Sequence, residues 1–280
     1  MLSPLRRALV RQVRATFNDR SSGERPVSRS DRALFRRDSV IWRVHGDVTS
    51  MMAGGIAALL LQMLHPAALA GVRDHSDVQE DMLGRLRRTA RFIAVTTYGE
   101  REAAEAAIDK VRHIHARVSG TLAGGAAYRA DDPNLLAWVH VAGAIMFLDG
   151  WRRYGEPGMS RTDQDRYFAE SGEIARRLGA DPVPSRLTGA ERLIRDFRPE
   201  LRFDERTLKF RDLLLNARSP SIAQRAVHKL LIGAAVDLLP PWARDLHGLR
   251  RPPLSASPIR AATFGLASTL RWAFAHEAYR

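Results

Sequence analysis

The sequence predicts an all-α protein whose main body is a single helical domain. Three observations carry that expectation. Long Ala/Leu/Arg-rich stretches with helical periodicity run almost without interruption from Asp38 onward. Turn signals cut them at Asp131-Asp132-Pro133, Gly155-Glu156-Pro157-Gly158, Asp181-Pro182, Arg198-Pro199, Pro240-Pro241 and Pro252-Pro253. No alternating, β-branched run bounded by tight turns suggests a sheet, and no internal repeat is visible. With 280 residues, 45% of them hydrophobic and 27% charged, the chain has enough apolar material for one large core.

Taken in order, the start MLSPLRRALVRQVRATF interrupts every short apolar run with arginine, so it lacks the apolar stretch of a secretory signal. It reads as a basic amphipathic helix with Leu5, Leu9, Val13 and Phe17 on one stripe. Such a helix either packs on its own domain, the expected arrangement, or makes peripheral contact with an anionic membrane through residues 1–20. The polar stretch Asn18 to Arg29 follows as a linker. The expected division is residues 1–29 for helix and linker and 30–280 for the all-helical domain. The 22-residue stretch Met51 to Val72 has no acid, lysine or arginine, but Gln62, His65 and Pro66 interrupt it. Pro66 leaves pieces too short to cross a bilayer, so a buried core helix is expected. A helix from about Arg101 to Ser119 is expected to end at Gly120, and the last amphipathic helix spans Pro258 to Phe274.

Composition excludes several function classes. The absence of cysteine rules out disulfides, zinc-thiolate sites, iron–sulfur clusters, a cysteine nucleophile and thiolate-ligated heme. The formal net charge is +13, yet only three of the 44 basic residues are lysines (Lys110, Lys209, Lys229). Arginine spread along the whole chain argues for compositional bias, so nucleic acid is not an expected partner. The expected location is cytoplasmic, with peripheral membrane attachment as the alternative.

Standard catalytic signatures are missing: no Gly-rich phosphate loop, HExxH, GxSxG or Glu-x-x-His pair occurs. Nine histidines remain as candidates, and helical geometry separates two of them. Ala104, Ile108, Val111 and Val118 form one stripe, and His115 falls within it. His113 lies roughly 200° away and shares its side with Ala106, Asp109 and Lys110. An inward imidazole needs either a hydrogen-bond partner or a metal, and the spacing alone leaves both open. Arg85 and Thr89, at i and i+4, share a face on which a cation and a hydroxyl could meet one anion. The alternative is a solvated basic face, to which Arg87, Arg88 and Arg91 would belong.

The stretches DSVIWRVHGD, LLLQMLHPAALAGVRDHS, RLRRTARFIAVTTYG, HARVSG and YRADDPNLLAWVH occur in one order between Asp38 and His140. Together they resemble the heme-dependent oxygenases that include the latex-clearing protein (rubber oxygenase) and the MpaB enzymes, with weaker likeness to about Leu239. The resemblance implies an all-helical body with a globin-like core around heme b, whose iron takes one proximal histidine. It assigns that ligand to His115 and a heme-proximal Arg-xxx-Thr pair to Arg85 and Thr89. Where rubber-cleaving members carry an iron-capping lysine, this chain has Arg88, a poor ligand because it is never deprotonated. Where they carry a distal glutamate, counting back reaches Leu69, and no glutamate lies between Asp47 and Gln79. His65 and His75 are then the nearest polar candidates for the distal pocket, with Leu60, Leu64, Phe92 and Val95 as apolar walls.

The leading expectation is a heme b oxygenase in which His115 holds the metal, Arg85, Thr89 and His65 help bind the cofactor, and Arg85, Thr89 and Arg88 serve catalysis. Its partners would be dioxygen and an apolar small molecule, isoprenoid or lipid. The alternatives are a heme-binding sensor or carrier without turnover, and a membrane-surface helical scaffold.

Overall fold

A computed structural model describes residues 4–17, 26–77, 80–216, 222–249 and 256–275. The described residues form thirteen α-helices and one small hairpin. In chain order they are α1 (Pro4–Phe17), α2 (Val40–His45), α3 (Val48–Gln62), α4 (Pro66–Asp74), α5 (Met82–Tyr98), α6 (Arg101–His115), β1 (Ser119–Thr121) and β2 (Ala127–Arg129). There follow α7 (Pro133–Tyr154), α8 (Arg161–Leu178), α9 (Leu187–Phe197), α10 (Glu205–Leu215), α11 (Ile222–Leu238), α12 (Pro241–Leu246) and α13 (Ala256–Phe274). A single 3₁₀ turn, Arg198–Glu200, follows α9.

The centre is the antiparallel-sized pair α3 and α7, where two backbones come into near contact. A Cβ on Gly54 would lie 2.8 Å from the Met146 carbonyl oxygen, and one on Gly150 would lie 2.7 Å from that of Ser50. Glycine at both places is what lets the helices approach so closely. Their ends are stitched by Gln62, whose side-chain amide donates to the Val139 carbonyl (2.7 Å) and whose own carbonyl accepts from the Trp138 indole (3.0 Å). Trp138, Leu60, Leu61, Leu64 and Met146 are fully buried around this contact.

The expected break in the apolar stretch occurs where Pro66 places it. Helix α3 stops at Gln62, α4 starts with Pro66 in its first turn, and the two helices meet at 107°. Pro66 lacks an N–H, so it suits a first helical position and not a helix interior. Among the described residues one helix, α7, is long and apolar enough to cross a membrane, but 61% of its apolar window is buried inside the protein. It is the core helix.

Most turn signals sit at helix boundaries. Asp132 caps α7 through the Leu135 amide, α7 ends at Gly155, and Pro241 opens α12. Pro252-Pro253 lies outside the described residues. The amphipathic α1 packs on α13 and α5, with Val10 buried; the side chains of Leu5 and Phe17 lie outside the described set.

Two expectations near residue 120 need correction. Helix α6 ends at His115, and Gly120 belongs to a strand instead of terminating the helix. Ser119–Thr121 pairs antiparallel with Ala127–Arg129, so a sheet exists where none was expected. Gly120 lies opposite Tyr128, whose ring crosses over it; a Cβ there would be 2.8 Å from the phenol oxygen. The glycine answers to that close approach, not to a left-handed helix cap. The turn itself uses Gly125 at φ +84°, a region open to glycine.

Candidate functional site

The two-faced reading of α6 sets where the site begins. Ala104 and Ile108 are buried and Val111 is half-buried, while Ala106, Asp109, Lys110 and His113 are exposed. His113 returns its Nδ1 to the Asp109 carbonyl (2.7 Å). His115 closes the helix on the inward side and is half-buried. Its Nδ1 is buried and has no hydrogen-bond partner. Burial, and then the positive charge of Arg85, depress its pKa below the ordinary imidazole value, against a smaller opposing pull from Asp131. The imidazole is therefore held neutral at pH 7.

Arg85 reaches this imidazole from α5. It is half-buried, donates from Nη1 to the Ser76 hydroxyl (3.2 Å), and forms no ion pair among the described residues. Burial, followed by the charge of Arg88, lowers its pKa. Ser76 in turn donates to the Val72 carbonyl, which ties Arg85 to the end of α4. Beside Ser76, His75 places Nε2 3.2 Å from the Tyr128 hydroxyl of the hairpin. Asp131 follows the hairpin and is clamped in two-point fashion by Arg129 (2.9 and 2.8 Å), which lowers its pKa. His115, Arg85, Ser76, His75, Tyr128 and Asp131 thus converge from α4, α5, α6 and the hairpin.

Helix α5 supplies the apolar part. Between Leu83 and Val95 no residue is fully buried, although Leu86, Phe92, Ile93 and Val95 are all apolar and half-buried. Leu83 is 48% exposed, and Ile114, next to His115, is 50% exposed. An ordinary core-facing helix buries its apolar stripe, so this one leaves apolar surface partly open on a helix that packs against α6.

The other expected site residues fall elsewhere. The exposed Thr89 donates its hydroxyl to the Arg85 carbonyl, so the pair does not jointly present a cation and a hydroxyl. Arg88 is exposed and paired with Asp81 (3.3 Å). His65 is the N-cap of α4: Nδ1 accepts from the Ala67 amide (3.2 Å), Nε2 faces Glu200 (3.4 Å), and the ring packs on Trp138 and Phe197. Its pKa is lowered by burial. Leu60 and Leu64 are packed into the core, as is Leu69. Ser76, Tyr128 and Asp131 were not anticipated; Tyr128 contributes through a contact distant in sequence, Ser76 through one nine residues away, and Asp131 is held by Arg129 two residues before it.

Other buried histidines provide a comparison. His45 has both nitrogens engaged, Nδ1 with the Thr97 hydroxyl (2.9 Å) and Nε2 with the Tyr167 hydroxyl (3.1 Å), and burial pushes its pKa down to about 3. His140 and His247 each retain one buried, unpartnered nitrogen, as His115 does. His247 is committed on its other side to the Leu60 carbonyl (2.9 Å) in the core. His140 sits on the core helix α7, with its pKa pushed to about 4 by burial and then by Arg176. His115 closes α6, the helix that packs against the half-exposed α5. Surface cavities of about 420 and 300 Å³ are lined by other residues, around Asp31–Arg36 and around Trp42, Trp151 and Arg271 respectively.

Residues 42–272 match a family model described as "ER-bound oxygenase mpaB/B'/Rubber oxygenase, catalytic domain". No curated protein and no solved structure matches the chain.

Proposed function

The chain belongs to the mpaB/rubber oxygenase catalytic-domain family, and from that premise we propose that it is a heme b-dependent oxygenase acting on an apolar substrate, with His115 as the residue that would hold the iron. The observation that carries the reading is the neutral, half-buried His115, whose buried ring nitrogen is engaged by no group among the described residues. A buried polar atom left unpaired calls for an explanation, and a metal ligand must be an unprotonated imidazole nitrogen. The residues present therefore fit the group.

Heme b, when bound, supplies the redox iron at which dioxygen is activated. The chain's own residues do the rest. Arg85, a half-buried cation with only a neutral hydroxyl partner, would pair with a cofactor carboxylate; its charge also keeps His115 unprotonated. The apolar side chains of α5 and Ile114 would cover the ring and exclude water. His75 Nε2 and the Tyr128 hydroxyl, already in hydrogen-bond contact, can hold or pass a proton at the edge of the site. A dry, apolar entrance suits an isoprenoid or lipid better than a charged substrate.

The test is a hemin titration followed by oxygen uptake. The purified protein is expected to show a Soret band, and His115→Ala to lose most of the bound heme while keeping its helical circular dichroism. A protein that stays colourless after hemin addition, or a His115→Ala variant with full occupancy, overturns the assignment. Heme binding without oxygen uptake on unsaturated isoprenoids or lipids would leave the sensor or carrier reading.

A further inference from the structure

We propose that the cleft between α2, α7 and α13 is a binding site for a small organic anion, its carboxylate or phosphate held by Arg29 and the Trp42 indole. The inference is independent of the heme reading, since none of the residues gathered around His115 lines this cleft. Its volume is about 300 Å³, and its walls include Arg29, Arg37, Trp42, Arg43, Trp151 and Arg271. Most of the polar groups there are already committed. Arg43 pairs with Glu156 and Asp163, Arg271 pairs with the buried Asp47, and the Trp151 indole donates to Glu156 (3.0 Å).

Two donors are left over. The Arg29 side chain forms no ion pair or hydrogen bond among the described residues; its guanidinium lies 5.1 Å from the centre of the Tyr98 ring and 5.9 Å from that of Trp42. The next residue anchors it there, the Ser30 amide donating to the Tyr98 carbonyl (2.8 Å). Trp42 is 6% exposed, and its indole N–H is buried without an acceptor. Arg37 also stands 5.9 Å from the Trp42 ring, paired with an Asp31 that is 81% exposed, and so open to exchange. A buried N–H without a partner, beside a cation without a counter-charge, asks for an acceptor that bears negative charge. The lining carboxylate, Asp47, is bound to Arg271 and to the Ser50 amide, so it competes for neither donor. The Trp42 and Trp151 rings add flat apolar wall, which suits an organic body behind the charged head.

The test is a proton–nitrogen NMR titration of the full, isotope-labelled chain with phenyl phosphate, benzoate, inorganic phosphate and the neutral benzyl alcohol. The chain has five tryptophans, and Trp42→Phe identifies the Trp42 indole signal by its loss. That signal is expected to move downfield and saturate with phenyl phosphate or benzoate, and to respond far less to inorganic phosphate or benzyl alcohol. Whichever of the two organic anions saturates at lower concentration gives the head group. Arg29→Gln, at an exposed position, should weaken binding by roughly tenfold, the size of one charge-assisted contact, with helical circular dichroism unchanged. If Trp42→Phe fails to fold, calorimetric titration of the parent against Arg29→Gln supplies the comparison. A Trp42 signal that stays in place, an equal response to benzyl alcohol, equal binding of inorganic phosphate, or an Arg29→Gln variant that binds like the parent each overturns the proposal.

Discussion

Replacing His45 with glutamine should flatten the acid limb of the stability profile. His45 sits at the end of α2, largely buried, with hydroxyls on both nitrogens and the rings of Phe147 and Tyr167 at its edges. Burial takes its pKa from 6.5 to about 3. The folded protein therefore refuses a proton that the unfolded chain accepts, so stability falls as pH drops from about 6.5 toward 3 and is fully present above that window. At pH 5 the unfolded imidazole is almost wholly protonated and the folded one is not. One imidazole then costs about 2 kcal/mol relative to pH 7, from 1.36 kcal/mol per unit. His140, depressed to about 4 in the same direction, adds to the absolute slope. It lies on a different helix, so the difference between parent and variant isolates His45. Urea unfolding at pH 7, 6 and 5 provides the measurement. His45→Gln should start less stable at pH 7, having lost an engaged ring, but should lose about 2 kcal/mol less than the parent by pH 5. Parallel profiles would refute the idea that His45 is buried and neutral.

Further expectations concern the core and the site. Gly150→Ala gains up to about 1 kcal/mol of helix propensity, but its Cβ would stand 2.7 Å from the Ser50 carbonyl oxygen. Overpacking against backbone, about 1–3 kcal/mol, should win, and calorimetry should show a midpoint lower by a few degrees. Asp237→Ala leaves Arg153 and Arg260 without their shared carboxylate, which has no exposed side-chain surface. Because both arginines keep access to water, a loss of about 1–3 kcal/mol is expected in denaturant unfolding. Arg85→Gln removes a charge that holds the His115 pKa down, so the imidazole signal in an NMR titration should move to higher pH. An unmoved signal would separate the two side chains.

Much of the architecture was legible because it follows from local chemistry. Pro66 had to end a helix, Asp132-Pro133 had to begin one, and the 3.6-residue period put His115 and His113 on different sides of α6. The hairpin was not legible. Strands of three residues are too short to show alternation, and Gly120 reads the same whether it serves a helix cap or a ring lying across it. Only the Tyr128 contact, eight positions away, distinguishes them. The site divides in the same manner. Periodicity and resemblance single out His115 and Arg85 as candidates. They do not single out Ser76, Tyr128 and Asp131, because a serine bonded to an arginine nine residues on leaves no pattern in composition. Thr89 shows an equally local effect: in a helix, a threonine hydroxyl readily turns back to the carbonyl four residues earlier, and here it donates to the Arg85 carbonyl.

The placement proposed for the site, on α5, follows from how the core is divided. Helices α3 and α7 bury their residues against each other so completely that glycine is needed for them to approach, and a packed interior of that density has no room for a large planar group. Such a group needs a wall that is apolar without being already satisfied, next to a polar atom without a partner. Helix α5 meets the first requirement along Leu83 to Val95, and His115 meets the second at the end of the adjoining α6. His140 and His247 have equally unengaged nitrogens, but His247 is buried and committed on its other side to the Leu60 carbonyl, and His140 lies on the core helix α7. A variant that plugs the α5 face, Ala90→Trp, should therefore cut hemin affinity while leaving the melting temperature of the apoprotein close to that of the parent. The corresponding insertion beside His140, Ala144→Trp on α7, should unfold the protein. Equal tolerance of both would mean that the α5 surface is no more open than the core.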